Sequence, residues 1–261
     1  MWKTFDITTY AQSFAIHGDY IVFFYGNNAG GSIWQISSVT KIADIIWPHG
    51  SFSTPHGNVM CFGKEFAEGN SELPLLYISQ WDGDGGCLVY DLHLDGSISL
   101  IQTIIASNMD VDVFGSSLGD WVVDNNADEI VSVKYHLSSS TTELGNYDHI
   151  CRFKLPKLSD GAEIILTNTD IIDSFTIPFT PVSQDKKIYN GILFIAAGWT
   201  STANSQKIFV CNIARKSITS IINLSQWGGE PEGLEIIDNG IIMGYGYGNP
   251  VTNIFAITFP S

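Results

Sequence analysis

The segment Ile208-Phe209-Val210-Cys211-Asn212-Ile213 decides the fold, because segments of the same apolar character return along the chain. The other four are Ser32-Ile33-Trp34-Gln35-Ile36, Cys87-Leu88-Val89-Tyr90-Asp91-Leu92, Ile150-Cys151-Arg152-Phe153-Lys154-Leu155 and Ile254-Phe255-Ala256-Ile257-Thr258-Phe259. A spacing of about 40 to 60 residues is typical of β-propellers, in which each repeat is one small antiparallel sheet. The repeats therefore predict an all-β, five-bladed β-propeller.

Turn signals predict how the strands follow one another within each repeat. In the fifth unit, Asp238-Asn239-Gly240 separates two apolar runs, and in the first unit Gly18-Asp19 does the same. Such pairs between apolar runs favour tight hairpins, because these turns need residues that accept a positive φ. We therefore expect four antiparallel strands in each blade.

The last strand of each blade is assigned from the run that follows the repeated segment. These runs are residues 41–46, 97–101, 163–166 and 217–222. The fifth unit stops at Pro260-Ser261 without such a run. We predict that residues 2–7 supply the missing strand beside the C-terminal strand and close the ring, because closure removes exposed sheet edges.

The length and composition favour one domain over residues 1–261, with 44% hydrophobic residues and 25 glycines. A single propeller of this size is common among all-β proteins. The predicted blades are roughly residues 12–47, 55–105, 116–175, 184–224 and 231–260, the last completed by residues 2–8.

Charge and cysteine usage bound the partners and the compartment. The chain carries 12 Lys and Arg against 27 Asp and Glu, a formal net charge of −15, which disfavours binding to nucleic acid or to an anionic membrane. We find no signal peptide and no apolar run of membrane-spanning length, and we expect a cytoplasmic or virion location. Cys87, Cys151 and Cys211 fall in the same strand of successive blades and Cys61 in an inner strand, so we expect reduced core cysteines.

One stretch carries a family resemblance. Pro55-His56-Gly57-Asn58-Val59-Met60-Cys61-Phe62-Gly63-Lys64-Glu65-Phe66, followed by residues 72–79 and by Trp81-Asp82-Gly83, resembles an uncharacterised five-bladed β-propeller family of gut bacteria and their phages. Glu230-Pro231-Glu232-Gly233-Leu234 is similar to the start of an inner strand in that family. The resemblance implies the propeller fold and transfers no activity, because propellers host many unrelated functions.

Polar residues at the starts of the inner strands are the first candidate site, because loops from all blades of a propeller converge there. The candidates are Gln12, His56, Asn58, Gln184, Glu230 and Glu232, while the third blade offers only Ser116 and Ser117 nearby. These side chains could bind a ligand or a divalent cation such as Ca²⁺, with Glu232 and Asn58 as metal ligands. The alternative is a water-lined channel whose polar groups bind only water and backbone.

Aromatic residues at the exits of the second strands form the second candidate site on the same face. They are Tyr25, Trp81, Tyr135, Trp199 and Tyr245, joined by Trp47 and Trp227, which precede inner strands. Exposed aromatic rings suit sugar rings or a protein partner. The alternative is that these rings pack between the blades.

No catalytic residue is assigned, because the chain has no Gly-x-Ser-x-Gly, His-Glu-x-x-His, Cys-x-x-Cys or phosphate-binding Gly-rich loop with Lys. The leading hypothesis is a non-catalytic protein that binds a carbohydrate or a protein partner. One alternative is a metal-dependent hydrolase or lactonase with a divalent cation in the central channel. Another is a structural component of a phage particle.

Overall fold

The computed structural model of the chain describes most of the predicted strands. It covers residues 3–7, 11–25, 30–47, 59–80, 85–107, 109, 119–136, 147–178, 180, 183–198, 206–224, 229–237, 240–245 and 252–258. Within these residues no helix is both long and apolar enough to cross a membrane.

Strands in the described residues form five sheets. The chain opens with β1 (Lys3–Phe5) and continues into sheet 1, formed by β2 (Ala11–His17), β3 (Tyr20–Tyr25), β4 (Gly31–Gln35) and β5 (Thr40–Ile45). Sheet 2 contains β6 (Met60–Phe62), β7 (Leu76–Ser79), β8 (Cys87–Leu92) and β9 (Ile98–Ala106). Sheet 3 contains β10 (Asp120–Asp124), β11 (Glu129–His136) and β12 (Tyr147–Lys154); β13 (Glu163–Leu166) then joins sheet 2, and β14 (Ile171–Pro178) completes sheet 3.

Sheet 4 and sheet 5 follow along the chain. Sheet 4 contains β15 (Ser183–Tyr189), β16 (Ile192–Ala197), β17 (Lys207–Asn212) and β18 (Ser217–Asn223). Sheet 5 contains β19 (Gly233–Ile237), β20 (Gly240–Tyr245) and β21 (Thr252–Thr258), with β1 paired antiparallel to β21 so that Lys3 lies opposite Ile254. The fold is all-β and propeller-like, with four blades standing in a ring.

The repeated segment lies at the same place in every sheet. It forms the third strand of each, namely β4, β8, β12, β17 and β21. Buried apolar side chains lie between neighbouring sheets, so the core consists of several clusters. All four cysteines are free and buried in it.

The prediction for residues 163–166 is wrong. These residues form β13, which pairs in parallel with β9 at the outer edge of sheet 2, and β14 is the fourth strand of sheet 3. Along β13 only Leu166 is buried, whereas Phe175 and Ile177 of β14 both enter the core. A 3₁₀ turn at Asn168–Asp170 separates the two strands. The run that buries more side chains in the core therefore takes the place inside the blade.

Candidate functional site

The inner strands β2, β6, β10, β15 and β19 each stand at the end of their sheet. One backbone edge of an end strand has no neighbouring strand to pair with, and buried backbone groups need hydrogen-bond partners. In this protein several such groups are bonded by charged side chains. This demand explains why charged residues are buried where the inner strands meet.

Lys187 of β15 is the centre of this arrangement and is 3% exposed. Its Nζ donates to the carbonyl oxygen of Phe14 in β2 at 3.3 Å and to that of Met60 in β6. It also lies 3.7 Å from Asp185 Oδ2 and 3.9 Å from Glu235 Oε2. We call Lys187, Asp185 and Glu235 the axial cluster.

The two carboxylates of the axial cluster bond further backbone groups. Asp185 Oδ2 accepts the N–H of Leu234 at 2.8 Å and the hydroxyl of Ser13 at 3.2 Å. Glu235 Oε2 accepts the N–H of Ile16 at 3.1 Å. The axial cluster therefore ties together β2, β6, β15 and β19.

Burial governs the titration of the axial cluster. It raises the pKa of Asp185 to about 7, against the opposing charge of Lys187. Burial also raises the pKa of Glu235 against the same ammonium. For Lys187, burial lowers the pKa, but Asp185 and Glu235 together outweigh it and raise the pKa above its usual value. The charged lysine is thus paired with two carboxyls whose ionised forms are each destabilised by burial.

Sequence reasoning missed the axial cluster, because none of its candidates at the starts of the inner strands was Asp185, Lys187 or Glu235. The available signal was the run Asp185-Lys186-Lys187 directly after the predicted start of an inner strand. Three consecutive charges in a strand usually indicate a solvated face. Here all three residues are buried.

Glu230 and Glu232 lie immediately before β19, at the end where the inner strands begin, which we call the mouth. Both are buried, with 4% and 5% of their surface exposed. Burial raises the pKa of Glu232 well above its usual value, and a hydrogen bond to Glu230 with the charges of Glu230 and Asp185 raises it further. We call Glu230 and Glu232 the mouth pair.

The other predicted polar residues at the mouth are partly described. Gln184 in β15 is buried. Gln12 in β2 is half-buried, and its Oε1 has no hydrogen-bond partner among the described residues. In the third unit the residue at this level is Asp120, the first residue of β10, which accepts from Lys186 Nζ. Ser116 and Ser117 lie outside the described residues.

Two predicted aromatic residues have described side chains, and both are buried. The hydroxyls of Tyr25 and Ser32 are hydrogen-bonded, and burial raises the pKa of Tyr25. Trp47 packs against Phe24 and Tyr90, with ring centroids 5.2 Å and 5.4 Å apart. These two rings pack against neighbouring strands.

The remaining predicted site residues stay predictions. Tyr135 and Tyr245 lie in β11 and β20, with side chains outside the description. The residues wholly outside the described ranges are His56, Asn58, Trp81, Trp199 and Trp227. Among the described residues, no group of three His, Cys, Asp or Glu side chains is arranged to hold a metal ion.

Comparisons with known proteins support the fold. No family model matches the chain, and no curated protein matches its sequence. Among solved structures, the glutaminyl cyclase of Myxococcus xanthus is similar with a TM-score of 0.51 at 13% identity, over 98% of this chain and 95% of that protein. A Bacteroides caccae protein of unknown function gives a TM-score of 0.43 at 11% identity, over 89% of this chain and 69% of that one. The likeness to the cyclase concerns the propeller-like fold alone.

Proposed function

We propose that this protein is a non-catalytic binding protein whose mouth takes a carbohydrate, or a protein partner that presents similar polar groups. The observation that carries the proposal is the mouth pair, two buried carboxyls of which Glu232 has a raised pKa. Raised pKa values in buried carboxyls are frequent at functional sites.

The chemistry of the mouth pair suits hydroxyl groups. The carboxyl oxygens of Glu230 and Glu232 accept hydrogen bonds from sugar hydroxyls, while the hydrogen bond between the two side chains fixes their positions. The axial cluster lies behind the mouth and occupies the space between the inner strands. A ligand is therefore held at the mouth, where the predicted rings of Trp81, Trp199 and Trp227 would stack against it.

The test is calorimetric titration and thermal shift of the full chain against mono- and oligosaccharides. We expect one sugar class to bind, Glu232→Gln to keep part of the affinity, and Glu232→Leu to lose at least tenfold because its acceptor oxygens disappear. Glu68→Gln, at an exposed turn, is the matched control. Equal affinity of Glu232→Leu and the parent would contradict the assignment. Cyclisation of a glutaminyl group, the activity in the name of the Myxococcus protein, would overturn the non-catalytic part.

A metal-dependent hydrolase is the second candidate, favoured by the two buried carboxyls side by side at the mouth, Glu230 and Glu232. In this function a Ca²⁺-like cation would be held by the mouth pair, with Asn58 and His56 as further ligands. Metal analysis and a thermal shift with Ca²⁺, Mn²⁺ and EDTA test it. Lack of bound metal together with an unchanged melting temperature removes this candidate. Silence from both sugars and metals favours a protein partner or a structural role in a phage particle.

We also infer that the five sheets close into a five-bladed ring, with β1 supplying the outer strand of the last blade. The pairing of β1 with β21 and the contacts of β19 with both β2 and β15 support this. Phe5 of β1 is fully buried and packs edge-on against Phe23 and Trp34 of sheet 1. Deleting residues 1–8 should cost several kcal/mol or abolish folding, since a buried Phe alone contributes about 3 to 5 kcal/mol. A deletion variant that melts like the parent would contradict closure.

A further inference from the structure

Asp148 and Thr180 form a fully buried contact where the chain passes from sheet 3 to sheet 4. Both residues are 1% exposed. Asp148 Oδ2 accepts the N–H of Thr180 at 3.0 Å and also its hydroxyl. Thr180 lies between the end of β14 and the start of β15, the strand that carries Lys187. The contact therefore anchors the entry to the inner strand that reaches the axial cluster.

A second carboxyl lies on the same face of sheet 3. Asp120 pairs opposite Val133, and Val133 pairs opposite Ile150, two residues beyond Asp148. Residues in this relation project from one face of a sheet. The ammonium of Lys186 reaches this face from β15 and donates to Asp120 Oδ2. With both carboxyls ionised, the group holds two negative charges and one positive charge.

One oxygen of each carboxyl is left over. Asp120 Oδ1 and Asp148 Oδ1 are sealed from solvent and have no hydrogen-bond partner among the described residues. An uncompensated buried charge is costly, and it is relieved by a counterion, by water or by a proton. Of these three, a proton neutralises a sealed carboxyl oxygen without needing additional space. It also leaves both hydrogen bonds from Thr180 to Oδ2 in place.

We propose that Asp148 is a proton-controlled lock between sheets 3 and 4: its neutral form holds the junction closed, and its ionisation near neutral pH loosens it at the mouth. The charged groups that face Asp148 are Asp120 from β10 and Lys186 from β15. His149 and Tyr147 are the neighbours of Asp148 in β12, so their side chains project from the opposite face of the sheet. Lys134 of β11 pairs opposite His149 and therefore lies on that opposite face as well. Burial, the main cause, raises the pKa of Asp148 to about 6. The lock does not depend on the ligand proposed above.

The sign of the effect follows from the direction of the pKa change. The folded state holds the proton of Asp148 more tightly than the unfolded chain, so stability is lost as the pH rises from about 4 to above 6. The opening constant of the junction should rise by roughly 10-fold between pH 5 and pH 7.5.

Hydrogen exchange of the full chain at pH 5 and pH 7.5, corrected for the intrinsic rates, tests the lock. In the parent, hydrogen-exchange protection of β12, β14 and β15 should decrease from pH 5 to pH 7.5 by the same factor as the opening constant increases. In Asp148→Asn, which mimics the neutral carboxyl, this decrease should be at least threefold smaller. Thr180→Ser keeps both donors and is the matched control, expected to behave like the parent. The same pH dependence in Asp148→Asn and the parent overturns the proposal.

A second measurement keeps the test open if Asp148→Asn does not fold. Carbon NMR of the aspartate carboxyls in the full chain measures the pKa of Asp148 directly. The signal of Asp148 is identified from the signal that shifts in Thr180→Ser. A midpoint near pH 6 supports the lock. A midpoint close to that of an ordinary aspartate, about 3.9, overturns it.

Discussion

Lys187 touches backbone or carboxyl groups of four inner strands, so its replacement tests the axial cluster at the scale of one residue. Lys187→Met keeps the length of the side chain and removes the charge. We expect a loss of about 3 to 5 kcal/mol in the free energy of unfolding, because Asp185 and Glu235 stay buried without their cation. Urea unfolding measures it, with Lys41→Met as the control at an exposed pair with Asp44. Equal losses in the two variants would contradict the cluster's role.

Gly233 tests the close approach of β19 to β2. A Cβ at this position would lie 2.2 Å and 2.4 Å from two ring atoms of Phe14. Gly233→Ala should therefore cost about 1 to 3 kcal/mol through overpacking. The double variant with Phe14→Leu should recover part of this cost relative to Phe14→Leu alone, because the ring edge is gone. Simple additivity in a thermal or urea double-mutant cycle would contradict the contact.

At the scale of the element, β13 covers the outer edge of β9 and is held by specific bonds. The N–H of Thr103 donates to Ala162 O at 2.9 Å, and the N–H of Ser107 to Leu166 O at 2.9 Å. In parallel pairing with this register, Ile164 turns its N–H towards β9 and Ile165 turns its N–H outward. The Gln102 side chain adds a bond to Gly161 O at 2.7 Å.

This geometry predicts that two neighbouring proline substitutions differ. Ile164→Pro removes a hydrogen bond to β9 and should cost about 1 to 3 kcal/mol. Ile165→Pro, the matched control, should cost clearly less, because its N–H has no partner in the sheet. Urea unfolding and limited proteolysis around residues 158–170 measure the difference. Equal losses in the two variants would show that the pairing of β13 with β9 contributes little to the free energy of unfolding.

The same element shows what sequence could and could not provide. The third strands were predictable because each contains a copy of the repeated, largely apolar segment, and the hairpin at Gly18-Asp19 has the turn residues that it needs. Residues 163–166 and 171–178 are both short and rich in isoleucine, so local pattern cannot decide which joins sheet 3. The choice depends on packing against another sheet. Lys187 was missed for a related reason, because it donates hydrogen bonds to carbonyl groups of two strands that are distant in the sequence.

At the scale of the whole molecule, the free energy of unfolding should fall as the pH rises through neutrality. Burial, the largest cause in each, raises the pKa of Asp148 to about 6 and of Asp185 to about 7, and it raises those of Glu232 and Glu235. Carboxyls with raised pKa values bind protons more tightly in the folded state, so their contribution is lost as the pH rises through these values. The protein should therefore be more stable at pH 5 than at pH 8.

Surface carboxyls set the acid limit of that profile. Hydrogen bonds from Ser37 and Ser97 lower the pKa values of Asp19 and Asp95, and Lys64 lowers that of Asp128. The stability that these groups contribute is lost as the pH falls through their lowered values. Chemical denaturation from pH 3 to pH 9 should give a maximum near pH 5. A maximum at pH 7 to 8 would show that the buried carboxyls are ionised at little cost.

The axial cluster also bears on how the molecule comes apart. Linear repeat arrays can lose terminal units one at a time, because each repeat contacts only its neighbours. Here one ammonium from sheet 4 is bonded to sheets 1 and 2 and paired with a carboxyl of sheet 5, so detaching any of these breaks contacts that the others share. We therefore expect the four repeats that carry sheets 1, 2, 4 and 5 to unfold as one cooperative unit, in which none of the four can be removed or exchanged as an independent module.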